Sequence, residues 1–197
     1  MIVINKKKEI NESYKRVGKS AEDYAIQMGD FLASHITGYS VLQFDLNDDL
    51  YDVKSIASKH KRGDIKLTTR LFIDGKQVEE TYIIEVKKNA TCFNNRLVLE
   101  HHLYSYIDET TGRVVPERKG WFDKRGVDYY LFIYNDNNSN EEQMIFVKES
   151  ELWDCYQNNI ESIKSSTIQN GWCSLIPCSM IIENCPSTLV RTVYEEE

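Results

Sequence analysis

The chain has 197 residues, 41% hydrophobic and 28% charged, enough for one sizeable core in a globular domain, and with only three prolines and nine glycines it reads as a single domain over 1–197. No apolar run is long enough to span a membrane, the first apolar stretch meets Lys6-Lys7-Lys8 too early for a signal peptide, and five cysteines without framework spacing read as reduced thiols, so a soluble cytoplasmic protein with no membrane partner is expected. The net charge of -7 weighs against a nucleic-acid partner until its distribution is read: residues 1–130 hold 21 Lys/Arg against 20 Asp/Glu, and the acidic C-terminal portion, 131–197, holds 3 against 11.

The first clear element is a helix from Ser20 to Ile36. Ala21, Tyr24, Ala25, Met28, Phe31, Leu32, His35 and Ile36 recur at spacings of three and four, Ser20 and Asp23 read as a capping box, and Gly38 reads as the stop. Residues 39–44 read as a strand and 45–52 as a polar connection. Ile65, Leu67, Leu71 and Ile73 alternate as a strand, Asp74-Gly75 is a hairpin turn, and Thr81 to Lys87 is the return strand. Further strands are expected at 96–106, 128–134 and 143–147, and a second helix at 149–163. Residues 171–194 carry no decisive pattern. The order of helix, strand meander and helix is that of an α/β domain.

The chemistry concentrates between Gly63 and Lys87. Glu85 and Lys87 lie two apart on a strand, so both leave the same face, roughly 7 Å apart along the chain. Asp64, opening the other hairpin strand, is within reach across the turn. Two carboxylates supply hard oxygen ligands for Mg²⁺ or Mn²⁺, and a neighbouring ammonium orients a nucleophilic water or steadies charge developing on phosphate. Glu-x-Lys by itself is a common surface pair, and Asp52 is a rival aspartate in the connection before the hairpin.

Taken together, Asp64, Glu85 and Lys87 resemble the PD-(D/E)xK nuclease superfamily, in which an aspartate on one hairpin strand and Glu-x-Lys on the next stand behind a helix that often carries a glutamate. Glu22 matches that helix position, and Gly63 stands where the proline of the motif would be. Two segments, Cys92 to Glu100 and Gly120 to Tyr130, are similar to a phage-associated branch of the superfamily. The resemblance implies a restriction-endonuclease-like core, a mixed β-sheet flanked by helices. It implies a divalent cation, Mg²⁺ or Mn²⁺, held by Asp64, Glu85 and the Val86 carbonyl, with Lys87 positioning water and Glu22 ordering the metal's waters. The partner it implies is nucleic acid, DNA in the first instance, with subunits pairing as a homodimer to cut two strands. The residues themselves do not separate DNA from RNA.

Lys59, Lys61, Arg62, Lys124 and Arg125 are the candidate phosphate contacts. Glu100 is a candidate accessory acid or a partner for Arg96 or Lys124. His101 and His102, adjacent on a strand and so on opposite faces, read as surface histidines, and Cys173, Cys178 and Cys185 as buried thiols. The alternative reading is a nuclease fold that has lost turnover and serves as a binding module or viral accessory protein.

Overall fold

The computed structural model describes residues 21–45, 50–56, 63–89, 95–107, 111–168 and 171–193. Ser20, Lys59, Lys61, Arg62 and the segment 92–94 lie outside these residues. The fold is mixed α/β, with a larger sheet of six strands, a four-stranded sheet and a two-stranded ribbon. The fold comprises two compact units, 1–88 with 127–133, and 89–126 with 134–197.

Unit 1 opens with the expected helix. Residues 21–27 are helical, and the Leu32 N–H bonds to the Met28 carbonyl at 3.0 Å, carrying the helix into α1 (Gly29–Thr37). Ala21, Ala25, Met28 and Leu32 of the apolar stripe are buried, as is Ala33 beside it. Gly38 ends the helix in the left-handed region, φ 75°, donating its N–H to the Ser34 carbonyl at 2.8 Å, which only a residue without Cβ does cheaply. Residues expected to form a strand at 39–44 instead form a short helix, α2 (Val41–Asp45), in which the Gln43 N–H bonds to the Ser40 carbonyl. A short apolar run has no period of its own, and neighbouring structure decides it.

The last two residues of the polar connection open an unexpected strand, β1 (Tyr51–Ser55), followed by β2 (Ile65–Ile73) and β3 (Lys76–Asn89), with β8 (Tyr129–Asn135) next in the order β1-β2-β3-β8. The β2–β3 register pairs Ile65 with Ile84 and Ile73 with Lys76 across the Asp74-Gly75 turn. One face buries Ile65, Leu67, Ile84 and Val86, and Gly29 lets the helix approach β1, because a Cβ there would lie 2.6 Å from the Val53 side chain.

Unit 2 contains β4 (Arg96–Leu103), β5 (Tyr106–Ile107), β6 (Val114–Val115), β7 (Arg118–Lys119) and α3 (Trp121–Lys124). After them come β9 (Glu142–Lys148), α4 (Glu149–Asn158), β10 (Lys164–Ile168), β11 (Gly171–Pro177), α5 (Cys178–Asn184) and β12 (Leu189–Thr192). Its antiparallel sheet has the order β10-β11-β4-β7, and β12 pairs with β9. The helix expected over 149–163 ends at Asn158 and passes into a 3₁₀ turn at Ile160–Ser162. Cys155, Cys173, Cys178 and Cys185 are buried thiols.

Candidate active site

Asp64 is fixed from two sides. Its N–H bonds to the Ile84 carbonyl at 2.9 Å, and its carbonyl accepts the Ile56 N–H at 2.8 Å, so the aspartate is held between β1 and β3. Ile65 is paired with Ile84 and the Asp64 N–H also goes to the Ile84 carbonyl, so two consecutive residues here face one of β3, the pattern of a β-bulge. The chain enters through Gly63 at φ 80°, a conformation closed to proline, whose ring holds φ near −65°. The missing proline therefore has a backbone reason: this chain turns into β2 with the opposite sign of φ.

The side chains of the hairpin mouth interact strongly. Asp64 Oδ2 accepts the Val86 N–H at 2.7 Å, and Lys87 Nζ lies 2.5 Å from Glu85 Oε1, with side-chain exposures of 27% and 17%. Burial, and then the charge of Glu85, push the Asp64 carboxyl up from 3.8 to about 6, against the pull of Lys87 and the Val86 N–H, while Glu22 adds a smaller push. Glu22 accepts the Ser55 hydroxyl at 3.3 Å. The structure thus gathers Asp64, Glu85, Lys87 and Glu22 within one electrostatic neighbourhood. Val86 contributes its N–H to this cluster. The rival Asp52 is no loop residue: it lies on β1 and pairs with Lys54 at 2.5 Å.

Two contributors carried no signal in the sequence. Ser55, on the unforeseen strand β1, steadies Glu22. Asp128 accepts the Ile83 N–H at 2.7 Å and donates its own N–H to the Ile83 carbonyl at 2.8 Å, tying β3 down two residues before Glu85.

Among the described residues no group of three or more His, Cys, Asp or Glu side chains is disposed to hold a metal ion. A Mg²⁺ ion needs only one or two protein carboxylates and fills its shell with water and phosphate. The Asp64–Glu85 pair fits that requirement on its own chemistry: the charge of Glu85 raises the cost of ionising Asp64, and a bound cation would offset it.

The remaining candidates lie in unit 2. Glu100 accepts the Trp121 N–H at 3.3 Å, where the sequence pointed to Arg96 or Lys124. Arg125 forms a two-pronged ion pair with the nearly buried Glu149, Nε–Oε1 2.5 Å and Nη2–Oε2 2.7 Å, and its guanidinium lies 4.5 Å above the Trp153 ring. Lys124 ends the short helix α3.

The surface reading fails for His101, which is 2% exposed. Its Nδ1 meets Asp123 Oδ1 at 2.6 Å and its Nε2 meets Ser174 Oγ at 2.9 Å, with the Trp172 ring 4.6 Å and the Tyr156 ring 5.0 Å away. The connectivity is that of a hydrolytic Ser-His-Asp set. Ser174, however, is 2% exposed and packed beneath aromatic rings, so no acyl group reaches it. This is a structural network joining β4, α3 and β11. His102 is half-buried and pairs with Glu117 at 3.0 Å. A cavity of about 490 Å³ in unit 2, bounded in part by Asn95, Asp136, Gln143 and Ile182, contains no residue of the hairpin cluster.

No family model matches the chain. A dynein heavy chain-like protein 2 of Plasmodium falciparum (isolate 3D7) is 26% identical over 131 residues, covering 62% of this chain and 2% of that protein's length. Among solved structures, the tetrameric restriction endonuclease SfiI bound to cognate DNA aligns over 95% of this chain and 86% of its own, with 9% identity and a TM-score of 0.36. In the described residues, no helix is long and apolar enough to cross a membrane.

Proposed function

We propose that this protein is a divalent-metal-dependent nuclease with a PD-(D/E)xK core, acting on DNA in the first instance. The observation that carries the reading is the hairpin mouth: a half-buried aspartate that feels the charge of Glu85, with its carboxyl raised to about 6, and Lys87 paired with Glu85. A resident Mg²⁺ or Mn²⁺ held by Asp64 and Glu85 would polarise the phosphoryl group and acidify a bound water. Lys87, 2.5 Å from Glu85, stands where its ammonium would orient an attacking water or steady charge on the phosphate. The Val86 N–H binds one Asp64 oxygen, and the other would be available to a cation. Glu22, which accepts the Ser55 hydroxyl, would order outer waters. The segments 92–100 and 120–130 favour the phage-associated branch, and a homodimer would serve cleavage of both strands.

The test is cleavage of single-stranded, duplex and branched DNA with Mg²⁺ or Mn²⁺. Glu85→Gln and Lys87→Ala are expected to lose at least a hundredfold in rate with circular dichroism unchanged. Activity persisting in both variants ends the proposal. The second reading, a nuclease fold retained for binding alone, draws on the close Glu85–Lys87 pair and the acidic C-terminal portion. Nucleic-acid binding with no Mn²⁺ uptake in a calorimetric titration would select it.

A further inference from the structure

The strand pairings of unit 2 hide a longer element. His102 pairs with Lys119 and Leu103 with Arg118, while Tyr106 pairs with Val115 and Ile107 with Val114. All four pairs share one register, so 102–107 and 114–119 form one antiparallel ribbon, broken at the middle opposite Pro116, which has no N–H to give. From Tyr104 outward almost every described residue of the ribbon is exposed. Alternation puts His102, Tyr104, Tyr106, Glu117 and Lys119 on one face.

Exposed tyrosines on a ribbon are not explained by packing: Tyr104 is 47% and Tyr106 41% exposed. They stand two residues apart, roughly 7 Å along the strand, and the His102 ring meets Tyr104 edge-on at 5.1 Å. His102 also engages Glu117, the acid of this face among the described residues, at 3.0 Å. Lys119 continues the same face in an exposed position, and Arg113 lies just before the far strand. Asp108 and Glu109 lie outside the described residues. A row of aromatic faces beside cations, with its acid already engaged, is the chemistry that accepts unpaired bases and their phosphates.

We propose that this ribbon is a contact arm for single-stranded nucleic acid, in which Tyr104 and Tyr106 stack successive bases and Lys119, on the same face, holds the backbone. The arm is a different surface from the hairpin cluster, and its assignment does not require that cluster to cleave. The experiment is fluorescence anisotropy of the full chain with a labelled oligothymidine and a matched duplex, in EDTA so that no turnover intervenes. The wild-type chain binds the single strand in preference to the duplex. Tyr104→Ala with Tyr106→Ala weakens binding about tenfold or more, while Tyr104→Phe with Tyr106→Phe keeps it. Lys119→Glu lowers the slope of log affinity against log salt by about 0.7 for the phosphate no longer neutralised. All these positions are exposed, so unfolding temperatures stay unchanged. Absence of wild-type binding, preference for duplex, or equal binding by the double alanine variant overturns the arm. So does self-association abolished by Ile107→Ser with Val114→Ser, which would give the ribbon to a second copy of the chain. Oligonucleotide binding retained by a chain that never cleaves leaves the arm standing and removes the nuclease. Cleavage unaffected by loss of the tyrosines, with binding also unaffected, does the reverse.

Discussion

Asp64→Asn separates the electrostatics of the hairpin mouth from its packing. Asparagine has nearly the shape of the aspartic acid and still accepts the Val86 N–H, but it carries no charge to bury. The wild-type carboxyl titrates at 3.8 when solvated and at about 6 in the fold. A carboxyl raised on folding contributes stability that is fully present below the lower value and lost as pH rises through the upper one. At 1.36 kcal/mol per pH unit, the ionised Asp64 at pH 7 costs the folded state at most about 3 kcal/mol, and partial solvent screening brings this to roughly 1–3 kcal/mol. Asp64→Asn is therefore expected to match wild type near pH 4 and to exceed it by that amount at pH 7, raising the unfolding temperature by about 3–10 °C. Thermal and urea unfolding of both proteins in EDTA between pH 4 and 8 measures the gap. Adding Mn²⁺ at pH 7 should then raise wild-type stability alone, because ligand binding to the folded state shifts the equilibrium. A destabilised Asp64→Asn, or a gap that does not change with pH, refutes the burial-and-repulsion argument. An equal Mn²⁺ shift in both proteins refutes Asp64 as a ligand.

Other substitutions probe the supports. Gly63→Ala meets both the positive φ and the Ile84 carbonyl, 3.2 Å from the new Cβ, and should cost about 1–3 kcal/mol in chemical denaturation. A neutral result would mean that the turn into β2 is not held as described. Arg125→Ala strands the nearly buried Glu149 and should cost about 3 kcal/mol in the same assay, with no change in the salt dependence of oligonucleotide binding. A changed salt slope with stability intact would return Arg125 to the phosphate contacts. His101→Ala opens a hole beneath Trp172 and leaves Asp123 and Ser174 without their shared partner, for a destabilisation of about 2–4 kcal/mol. Reaction of Ser174 with a fluorophosphonate in the native wild-type chain would contradict the structural reading of that network.

What could be read from the order of residues was whatever local periodicity and turn chemistry dictate. The apolar stripe from Ala21 fixed a helix, and Gly38 its end, because a left-handed cap favours glycine whatever surrounds it. Alternation through Ile65 to Ile73, with Asp74-Gly75 after it, fixed the hairpin and so which of its residues share a face. Glu85 and Lys87 followed from that register, and Asp64 from its place just before β2. Tertiary structure decided what has no local period. The apolar run at 39–44 coils into α2, whereas Tyr51–Ser55 becomes β1 because β2 offers it an edge. Ser55 and Asp128 gained their roles only through partners 33 and 45 residues away. His101 looked like half of an exposed pair and is buried because Asp123 and Ser174, 22 and 73 residues distant, satisfy both ring nitrogens. A polar side chain can be taken into a core when its partners are waiting there, and only the folded chain brings them together.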